Sequence, residues 1–391
     1  MNLCRKILVL VCGALLLKGF ATDPMGNLPI QPLVKPGYQP GADEEKDVRG
    51  LWMEMAEAEV ELKRSPLVVQ DAMINDYVKG LACEVARDYC DDLRIYVIQS
   101  PAFNASITPN GIMIVNTGLL TRMTSSDQVA AVLGHELAHY TQTHSLLRLR
   151  AAKRNALIGT LLELGGLGGL PSIFAFSAVI KFSRDQESEA DILGAYFMAG
   201  AGYAPQAAAD IWVFLEEEEE NASVKRPKGL AFLSSHPNSD KRAKDLAAEA
   251  QNIAPNMAKK FSIEDDPLLE VLKARYEFLM DEQTQQRDDG RLLTLLQRHA
   301  DMGIPLSNIE FYRGEAFRIR GGEGDDEKAV QAYERAIRGD SPLPRAFREL
   351  GYLEYKRGNR ENAKEYFREF LARTPDASDR AMIEFYLGEG W

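Results

Sequence analysis

The segment His135-Glu136-Leu137-Ala138-His139 constrains this chain of 391 residues more than any other feature. Residues four apart on a helix share one face, so both imidazoles can offer ring nitrogens to a single ion. This spacing is typical of zinc peptidases, in which the intervening glutamate acts as a general base. We therefore predict His135 and His139 as metal ligands and Glu136 as the catalytic base. The alternative is a pair of ordinary histidines on a helix surface.

A helix is predicted to carry this motif. Ser125 and Gln128 have the spacing of a capping box, and an apolar run at residues 129–133 follows them. The helix should therefore begin about two turns before His135.

A third ligand is expected downstream, because a catalytic zinc site takes three protein ligands and leaves one position for water. The best candidate is Glu187, in a helix that the capping-box pair Ser183 and Gln186 is predicted to open. Asp191 lies four residues further on the same face, where it can accept the second ring proton of a histidine ligand. Glu189 should point away from that face. The alternative is an acidic first turn that the helix dipole favours.

Three motifs in this order resemble one family of metallopeptidases. The H-E-L-A-H motif is followed by E-x-E-A-D from Glu187 and by Ser-His-Pro around His236. This order is similar to that of the CAAX prenyl protease and HtpX family, and within it to the soluble BepA-type periplasmic members. The resemblance covers roughly residues 48–250. It implies a gluzincin fold with one Zn²⁺ per chain, held by His135, His139 and Glu187.

The resemblance also implies roles for residues outside the first two motifs. The family histidine before proline lies near the metal, so His236 would either stabilise the oxyanion or close the fourth coordination position; an ordinary loop histidine is the alternative. Arg242 matches a family arginine near the site. Asn104-Ala105 matches a pair on the family's edge strand, which accepts the substrate backbone. Here the alternative is a strand that only faces the core.

Two further histidines are expected to be structural. His144 lies five residues after His139, about 140° around a continuous helix, and should face away from the metal. His299 lies far along the chain in a different segment.

The first 21 residues have the pattern of a secretory signal peptide. Arg5 and Lys6 precede an apolar run at residues 7–17, and Gly19-Phe20-Ala21 supplies a cleavage site. That run is shorter than the roughly 20 residues that span a bilayer. We therefore predict export to the periplasm, which is compatible with a peripheral place at the outer membrane. An uncleaved anchor is the alternative.

Charge and cysteine content fit an exported protein. Removal of the signal takes away three basic residues and no acidic ones, and moves the formal charge from −12 to −15. Such an acidic chain is a poor candidate for binding nucleic acid. Cys83 and Cys90 would remain, and an even pair suggests a disulfide in an oxidising compartment. On an unbroken helix they would lie about 10 Å apart, so the bond requires the helix to end near Arg87. Two free thiols are the alternative.

The chain is predicted to be α+β and mainly helical, in four parts. After the signal, residues 22–47 are rich in proline and glycine and read as an extended leader. Residues 48–260 form the metallopeptidase domain. An alternating strand at 93–99 and an Asn110-Gly111 hairpin predict a small sheet there. Residues 261–391 form a helical domain.

The helical domain contains a repeat of about 34 residues. Ala329 and Ala363 are 34 apart, as are Tyr333 and Phe367. These positions match the tetratricopeptide pattern, and BepA-type proteins share the layout of a peptidase followed by such repeats. The prediction is an α-solenoid of tetratricopeptide-like repeats.

Two other stretches have local interpretations. Residues 157–180 are almost wholly apolar but broken by glycines and a proline, which favours a mobile lid or plug over the metal cleft. A membrane-contacting segment is the alternative. The five glutamates at 216–220 are predicted to be a solvated helix end.

The function predicted from these features is a periplasmic zinc endopeptidase in quality control of envelope or outer-membrane proteins. Its substrates would be polypeptides, misfolded or stalled in assembly, and its repeats would grip them or contact an outer-membrane assembly complex. The alternative is a chaperone or adaptor for outer-membrane protein assembly, in which the repeats act and the zinc site is self-blocked.

Overall fold

The computed structural model describes residues 28–41, 46–154, 173, 181–224, 236, 240–254, 257–339 and 341–388. The predicted signal peptide lies outside the described residues, as does nearly all of the predicted lid at 157–180. In the described part of the chain, no helix is both long and apolar enough to cross a membrane.

Helices dominate the described structure and a small sheet lies among the N-terminal ones. The N-terminal helices are α1 (Lys46–Arg64), α2 (Ala72–Ala86), α3 (Thr117–Leu120), α4 (Ser126–Thr141), α5 (His144–Arg154), α6 (Arg184–Gly200), α7 (Ala207–Glu220) and α8 (Asp240–Ile253). The C-terminal helices are α9 (Pro267–Ala274), α10 (Tyr276–Gln285), α11 (Asp289–Asp301), α12 (Leu306–Arg320), α13 (Asp325–Ile337), α14 (Pro344–Lys356), α15 (Arg360–Arg373) and α16 (Arg380–Leu387). The strands are β1 (Arg94–Ile98), β2 (Ala105–Ile107) and β3 (Ile112–Asn116).

The sheet has the order β1-β3-β2, with β1 parallel and β2 antiparallel to β3. Every residue of the central strand β3 is buried. The predicted hairpin is confirmed, and Gly111 takes a φ of 84° at its turn. A Cβ there would lie 2.3 Å from the Asp92 carbonyl oxygen, so only glycine fits. β2 is an edge strand of this sheet.

Helix α4 lies at the centre of the N-terminal part and all of its residues are buried. It begins at Ser126, as predicted, and the Ser125 hydroxyl accepts from the Gln128 amide. The Gln128 side chain accepts from the Thr124 amide at 2.7 Å, so the predicted capping box is shifted by one residue on that side. At α6 the predicted box between Ser183 and Gln186 is complete.

Two glycines bring α4 and α6 into close contact. A Cβ on Gly134 would lie 2.7 Å from the Gly194 carbonyl oxygen, and one on Gly194 would lie 2.7 Å from the His135 amide nitrogen. Side chains at either position would separate the two backbones. This close crossing is what places the acidic first turns of α6 beside the histidines of α4.

The predicted break in α2 is confirmed. The helix ends at Ala86, Arg87 takes a φ of 51°, and a 3-10 helix runs from Arg87 to Asp92. The Cα atoms of Cys83 and Cys90 therefore lie 4.7 Å apart and the two residues form a disulfide.

The described part of the leader, residues 28–41, packs more closely than predicted. Its Leu33 and Val34 amides both donate to the Thr141 carbonyl at the end of α4, each at 3.0 Å. The Tyr89 hydroxyl donates to the Val34 carbonyl at 2.7 Å. This segment covers the C-terminal end of the helix that carries the H-E-L-A-H motif.

The C-terminal helices pack as antiparallel pairs, α12 with α13 and α14 with α15. A Cβ on Gly314 would lie 2.4 Å from the Tyr333 ring, and one on Gly351 would lie 2.5 Å from the Phe367 ring. The same glycine–aromatic contact therefore recurs in both pairs, with the two aromatic residues 34 positions apart and the two glycines 37 apart. The tetratricopeptide assignment and the domain boundaries remain predictions.

Helices α10 and α11 join the C-terminal part to residues 117–122 and to α7, and we call these contacts the docking interface. The Thr117 hydroxyl donates to Glu282 at 2.6 Å. His299 Nε2 lies 2.8 Å from the Thr121 carbonyl oxygen. Glu218 of α7 is fully buried and pairs with Arg122. The prediction that residues 216–220 are a solvated helix end is therefore wrong for Glu218. Its partner Arg122 lies 96 residues away in sequence, where no local pattern indicates it.

Candidate metal centre

Four buried side chains converge on one point, and we call them the metal centre. They are His135 and His139 from α4, Glu187 from α6, and His236. One ligand atom of each lies within 4.8 Å of the others, so the group can hold a metal ion.

The spacing within the metal centre is close and even. His135 Nε2 lies 3.0 Å from His139 Nε2 and 3.1 Å from His236 Nδ1. Glu187 Oε1 lies 3.0 Å from His236 Nδ1 and 3.7 Å from His139 Nε2, and its Oε2 lies 3.6 Å from His135 Nε2. Helical spacing of four on α4 and the crossing with α6 produce this arrangement.

The Glu187 carboxylate is held in its charged form. Burial alone would raise its pKa, but His236, His135 and Arg242 together lower the pKa below its ordinary value. Arg242 Nη1 lies 2.7 Å from Glu187 Oε2. The metal centre therefore contains one fixed negative charge.

The outer nitrogen of His135 contacts a buried ion pair. His135 Nδ1 lies 3.0 Å from Asp191 Oδ1, and Arg242 donates to both Asp191 oxygens at 2.7 and 2.8 Å. Burial alone would raise the pKa of Asp191. The contacts with His135 and Arg242 lower this pKa by more than burial raises it, so the carboxylate stays ionised. His135 must then carry its proton on Nδ1 and direct the lone pair of Nε2 inward.

The outer nitrogen of His139 contacts His144, contrary to the prediction that His144 faces away. His139 Nδ1 lies 2.9 Å from His144 Nδ1, and His144 Nε2 lies 3.3 Å from Glu189 Oε2. The prediction assumed a continuous helix, but α4 ends at Thr141 and Thr143 has a φ of 55°. His144 thus lies behind His139. Glu189 points away from the metal centre, as predicted, and contacts His144.

Glu136 lies beside the metal centre without belonging to it. Its Oε1 is 3.5 Å from His236 Nε2 and has no hydrogen-bond partner among the described residues. Burial raises the pKa of Glu136 to about 8; His135 opposes this shift and Glu187 adds to it. A carboxylate with such a pKa can take up and release a proton near neutral pH.

Phe182 closes one side of the metal centre. Its ring stacks on His139 with centroids 3.8 Å apart and planes 19° apart, and its centroid lies 5.1 Å from that of His236. The four converging side chains and Glu136 are all buried. The described residues therefore enclose the metal centre in this structure.

The predicted substrate-binding pair lies at the edge of the sheet. Ala105 begins β2 and Asn104 precedes it. The Asn104 carbonyl accepts from the Asn116 amide, and the Thr108 amide donates to the Ile112 carbonyl. Because alternate residues face opposite edges, the backbone groups of Ala105 face away from β3. Asn104 Oδ1 is buried and has no hydrogen-bond partner in the described part of the chain.

Six residues that the sequence singled out come together: His135, His139, Glu187 and His236 with Asp191 and Arg242 behind them. The Cys83–Cys90 disulfide lies at the end of α2 and takes no part. Sequence reasoning missed the contact of His144 with His139 and the stacking of Phe182. The only local signal for Phe182 is its position directly before the Ser183 cap.

Comparisons with known proteins match the same region. The family model described as Peptidase family M48 matches residues 69–250. The chain is 35% identical over 155 residues to the mitochondrial metalloendopeptidase OMA1 of Schizosaccharomyces pombe, which covers 39% of this chain and 45% of that protein. It is 27% identical over 210 residues to a putative beta-barrel assembly-enhancing protease of Vibrio cholerae, covering 50% of this chain and 43% of the relative.

A third relative is the metalloendopeptidase OMA1 of Bos taurus, 33% identical over 172 residues, which covers 39% of this chain and 31% of that protein. The chain thus spans less than half the length of these curated relatives. The range that the family model matches contains the H-E-L-A-H motif and Glu187.

Proposed function

We propose that this chain, whose residues 69–250 match the model of Peptidase family M48, is a zinc-dependent endopeptidase with Glu136 as its general base. The family is one of metalloproteases, and the buried group of three histidines and one glutamate can hold a metal. The observation that carries the proposal is the spacing of those four ligand atoms, beside a Glu136 carboxylate oxygen that accepts no hydrogen bond from the described residues.

The residues of the metal centre fit zinc. Zn–N distances of roughly 2.0–2.1 Å in a tetrahedron place neighbouring ligand atoms about 3.3 Å apart. The closest atom pairs of the metal centre lie between 3.0 and 3.7 Å apart. With its Nδ1 beside the Asp191 carboxylate, His135 can offer the lone pair of Nε2 to an ion at the centre. Nitrogen donors favour zinc over calcium or magnesium, which prefer oxygen ligands.

His135, His139 and Glu187 would hold the zinc, which when bound would lower the pKa of a coordinated water to about 7 and polarise the scissile carbonyl. Glu136 then takes the proton of the attacking water and passes it to the leaving amine, a role for which its raised pKa suits it. Asp191 and Arg242 keep His135 oriented throughout. The backbone groups of Ala105, which face away from β3, can pair with an extended substrate, and Asn104 Oδ1 can accept one of its amides.

His236 acts as a gate in this proposal rather than as an oxyanion ligand. Its Nδ1 lies 3.0 Å from Glu187 and 3.1 Å from His135, in the fourth position that the water needs. Its other nitrogen approaches Glu136. We expect His236→Ala to raise peptidase activity on an unfolded polypeptide. A loss of activity with zinc retained would instead assign His236 to the catalytic machinery.

The Glu136→Gln variant tests the proposed function. It keeps the shape of the side chain but cannot accept the proton, so we expect peptidase activity to fall by roughly 10²–10⁴-fold. Zinc content and polypeptide binding should stay unchanged. Glu282→Gln is the matched control, because Glu282 is another buried glutamate whose pKa burial raises. Wild-type protein without zinc, or full activity in Glu136→Gln, would contradict the proposal.

The cellular role we propose is quality control of envelope proteins in the periplasm. Support comes from the predicted signal peptide, from the Cys83–Cys90 disulfide and from relatives named as beta-barrel assembly-enhancing proteases. Substrates would be polypeptides that fail to assemble. Cell fractionation, with proteomic comparison of outer membranes from wild-type and Glu136→Gln cells, tests this role.

A chaperone or adaptor is the second candidate, favoured by the position of His236 in the metal centre and by the paired C-terminal helices. This candidate predicts that Glu136→Gln cells show no change, whereas deletion of residues 306–391 produces the full defect. The peptidase predicts a defect in both.

A further inference from the structure

We propose that His144 and Glu189 are positioning residues that fix the ring of His139 for metal binding. The inference rests on the proposed function, because it assumes that the metal centre holds zinc. It extends that function to two residues outside the four converging side chains and outside the Asp191–Arg242 pair.

The chain makes a tight turn to bring His144 behind His139. Helix α4 ends at Thr141, the Thr143 amide donates to the Tyr140 carbonyl, and α5 starts at His144. Thr143 takes a φ of 55°, a left-handed conformation that is unfavourable for a β-branched residue. The turn is what allows His144 to bury its ring, 3% exposed, against His139.

The geometry assigns every proton in this row of groups. His139 Nε2 faces the metal centre, so a metal-bound ring carries its only proton on Nδ1. That nitrogen lies 2.9 Å from His144 Nδ1, and one proton fits between them. His144 Nδ1 must therefore accept, which leaves the proton of the neutral His144 ring on Nε2. Nε2 in turn lies 3.3 Å from Glu189 Oε2, which accepts it.

The two histidine ligands are thus supported in different ways. Behind His135 stands a buried carboxylate that a buried guanidinium holds at 2.7 Å. The partner of His139 is the neutral ring of His144, which in turn contacts Glu189, whose side chain is 36% exposed. Since a hydrogen bond to an ionised acceptor is the stronger kind, we expect the support of His139 to be weaker than that of His135.

Zinc affinity measured by chelator competition tests the inference. Loss of an outer partner typically weakens metal binding by 10–100-fold, and we expect His144→Ala to fall in that range. His144→Asn should recover most of the affinity, because its Oδ1 can still accept the His139 proton. Glu189→Gln should cost less than His144→Ala. Gln142→Ala is the matched control in the same turn, because the Gln142 side chain donates to the Gln31 carbonyl of the leader and not to a histidine. The zinc affinity of this control should equal that of the wild type.

A second readout separates positioning from packing. In cobalt-substituted protein, the proton on His139 Nδ1 should give a shifted NMR signal that His144→Ala loses and His144→Asn keeps. The melting temperature of the metal-free protein should differ little between these two variants. The inference is overturned, and the proposed function is not, if His144→Ala binds zinc as tightly as the wild type. The same holds if His144→Asn loses as much zinc affinity as His144→Ala. A wild-type chain that binds no zinc overturns the proposed function together with it.

Discussion

The metal centre and the docking interface both bury charged and polar groups, but they arrange them in opposite ways. At the docking interface Arg122 meets Glu218 with three nitrogen–oxygen contacts of 2.7 to 3.0 Å. Its remaining nitrogen, Nη1, donates to the carbonyls of Pro101 and Gly118. Each donor meets an acceptor, so the pairing is complete without any further group.

In the metal centre three ring nitrogens and a carboxylate converge on one point instead. The lone pair of His135 Nε2 points toward His139, His236 and Glu187, while its proton is committed to Asp191 on the other side. All four groups can therefore offer a ligand atom to one ion. Burial alone does not distinguish function from structure; the convergence of ligand atoms on one point does.

Glu187→Gln should sharpen this comparison most. The amide removes the negative charge of the metal centre and places a donor near Arg242, so zinc affinity should fall by more than the roughly 10–100-fold expected for an outer partner. Peptidase activity should disappear with the metal. Chelator competition and metal analysis measure the first effect. Retention of one zinc per chain at normal affinity would break the comparison.

Arg122→Met should have the next largest effect, on stability rather than on metal. It leaves the fully buried Glu218 carboxylate with only the longer contact to Arg291, at 3.9 Å, and loss of such a buried pair costs about 3–5 kcal/mol of unfolding free energy. Denaturant titration measures this loss, and zinc affinity of the folded fraction should not change. The control is Arg122→Met combined with Glu218→Met, in which no charge remains unpaired.

We expect that double variant to recover most of the stability, because two apolar side chains can replace a buried ion pair at little cost. A double variant as unstable as the single one would mean that Arg122 acts through its bonds to Pro101 and Gly118 instead.

His299 links the docking interface to pH. Burial lowers the pKa of His299 to about 4, against an ordinary value near 6.5. Between pH 6.5 and pH 4, His299 is protonated in the unfolded chain but not in the folded chain. The stability that depends on neutral His299 is therefore fully present above pH 6.5 and is lost as the pH falls toward 4. The contribution to the free energy of unfolding should fall by about 2 kcal/mol from pH 7 to pH 5.

The measurement compares denaturant unfolding of metal-free wild type and His299→Gln across this range, since metal-free protein excludes loss of zinc in acid. The difference in stability between them should shrink toward pH 5. A constant difference would show that His299 titrates normally and that its contacts with Thr121 and Tyr276 do not hold it neutral.

Sequence reasoning reached features that depend on near neighbours. The Ser125 and Ser183 caps, the hairpin at Gly111 and the spacing of His135 and His139 are each determined within a few residues, and the structure contains them. The crossing of α4 with α6 was not predicted, because Gly134 and Gly194, which allow it, lie 60 residues apart.

What sequence reasoning missed depends on distant partners or on unusual backbone. The burial of Glu218 follows from Arg122, which no local pattern connects to it. His144 was misplaced because a helix break at Thr143 has no proline or glycine to indicate it. A periodic pattern assumes that the backbone continues, so a left-handed threonine reverses its conclusion about which way the next side chain points.

Ser183→Ala should have the smallest effect of these variants. It tests whether the cap of α6 helps to hold Glu187 in the metal centre. The Ser183 hydroxyl caps α6 by accepting from the Gln186 amide, and loss of such a cap costs about 1 kcal/mol. Because Glu187 lies in the first turns of α6, fraying there should also weaken zinc binding severalfold. Ser125→Ala is the control, since the cap of α4 lies more than two turns from His135 and its loss should affect stability alone. Equal zinc affinity in the two variants would show that the α4–α6 crossing, not the cap, fixes Glu187.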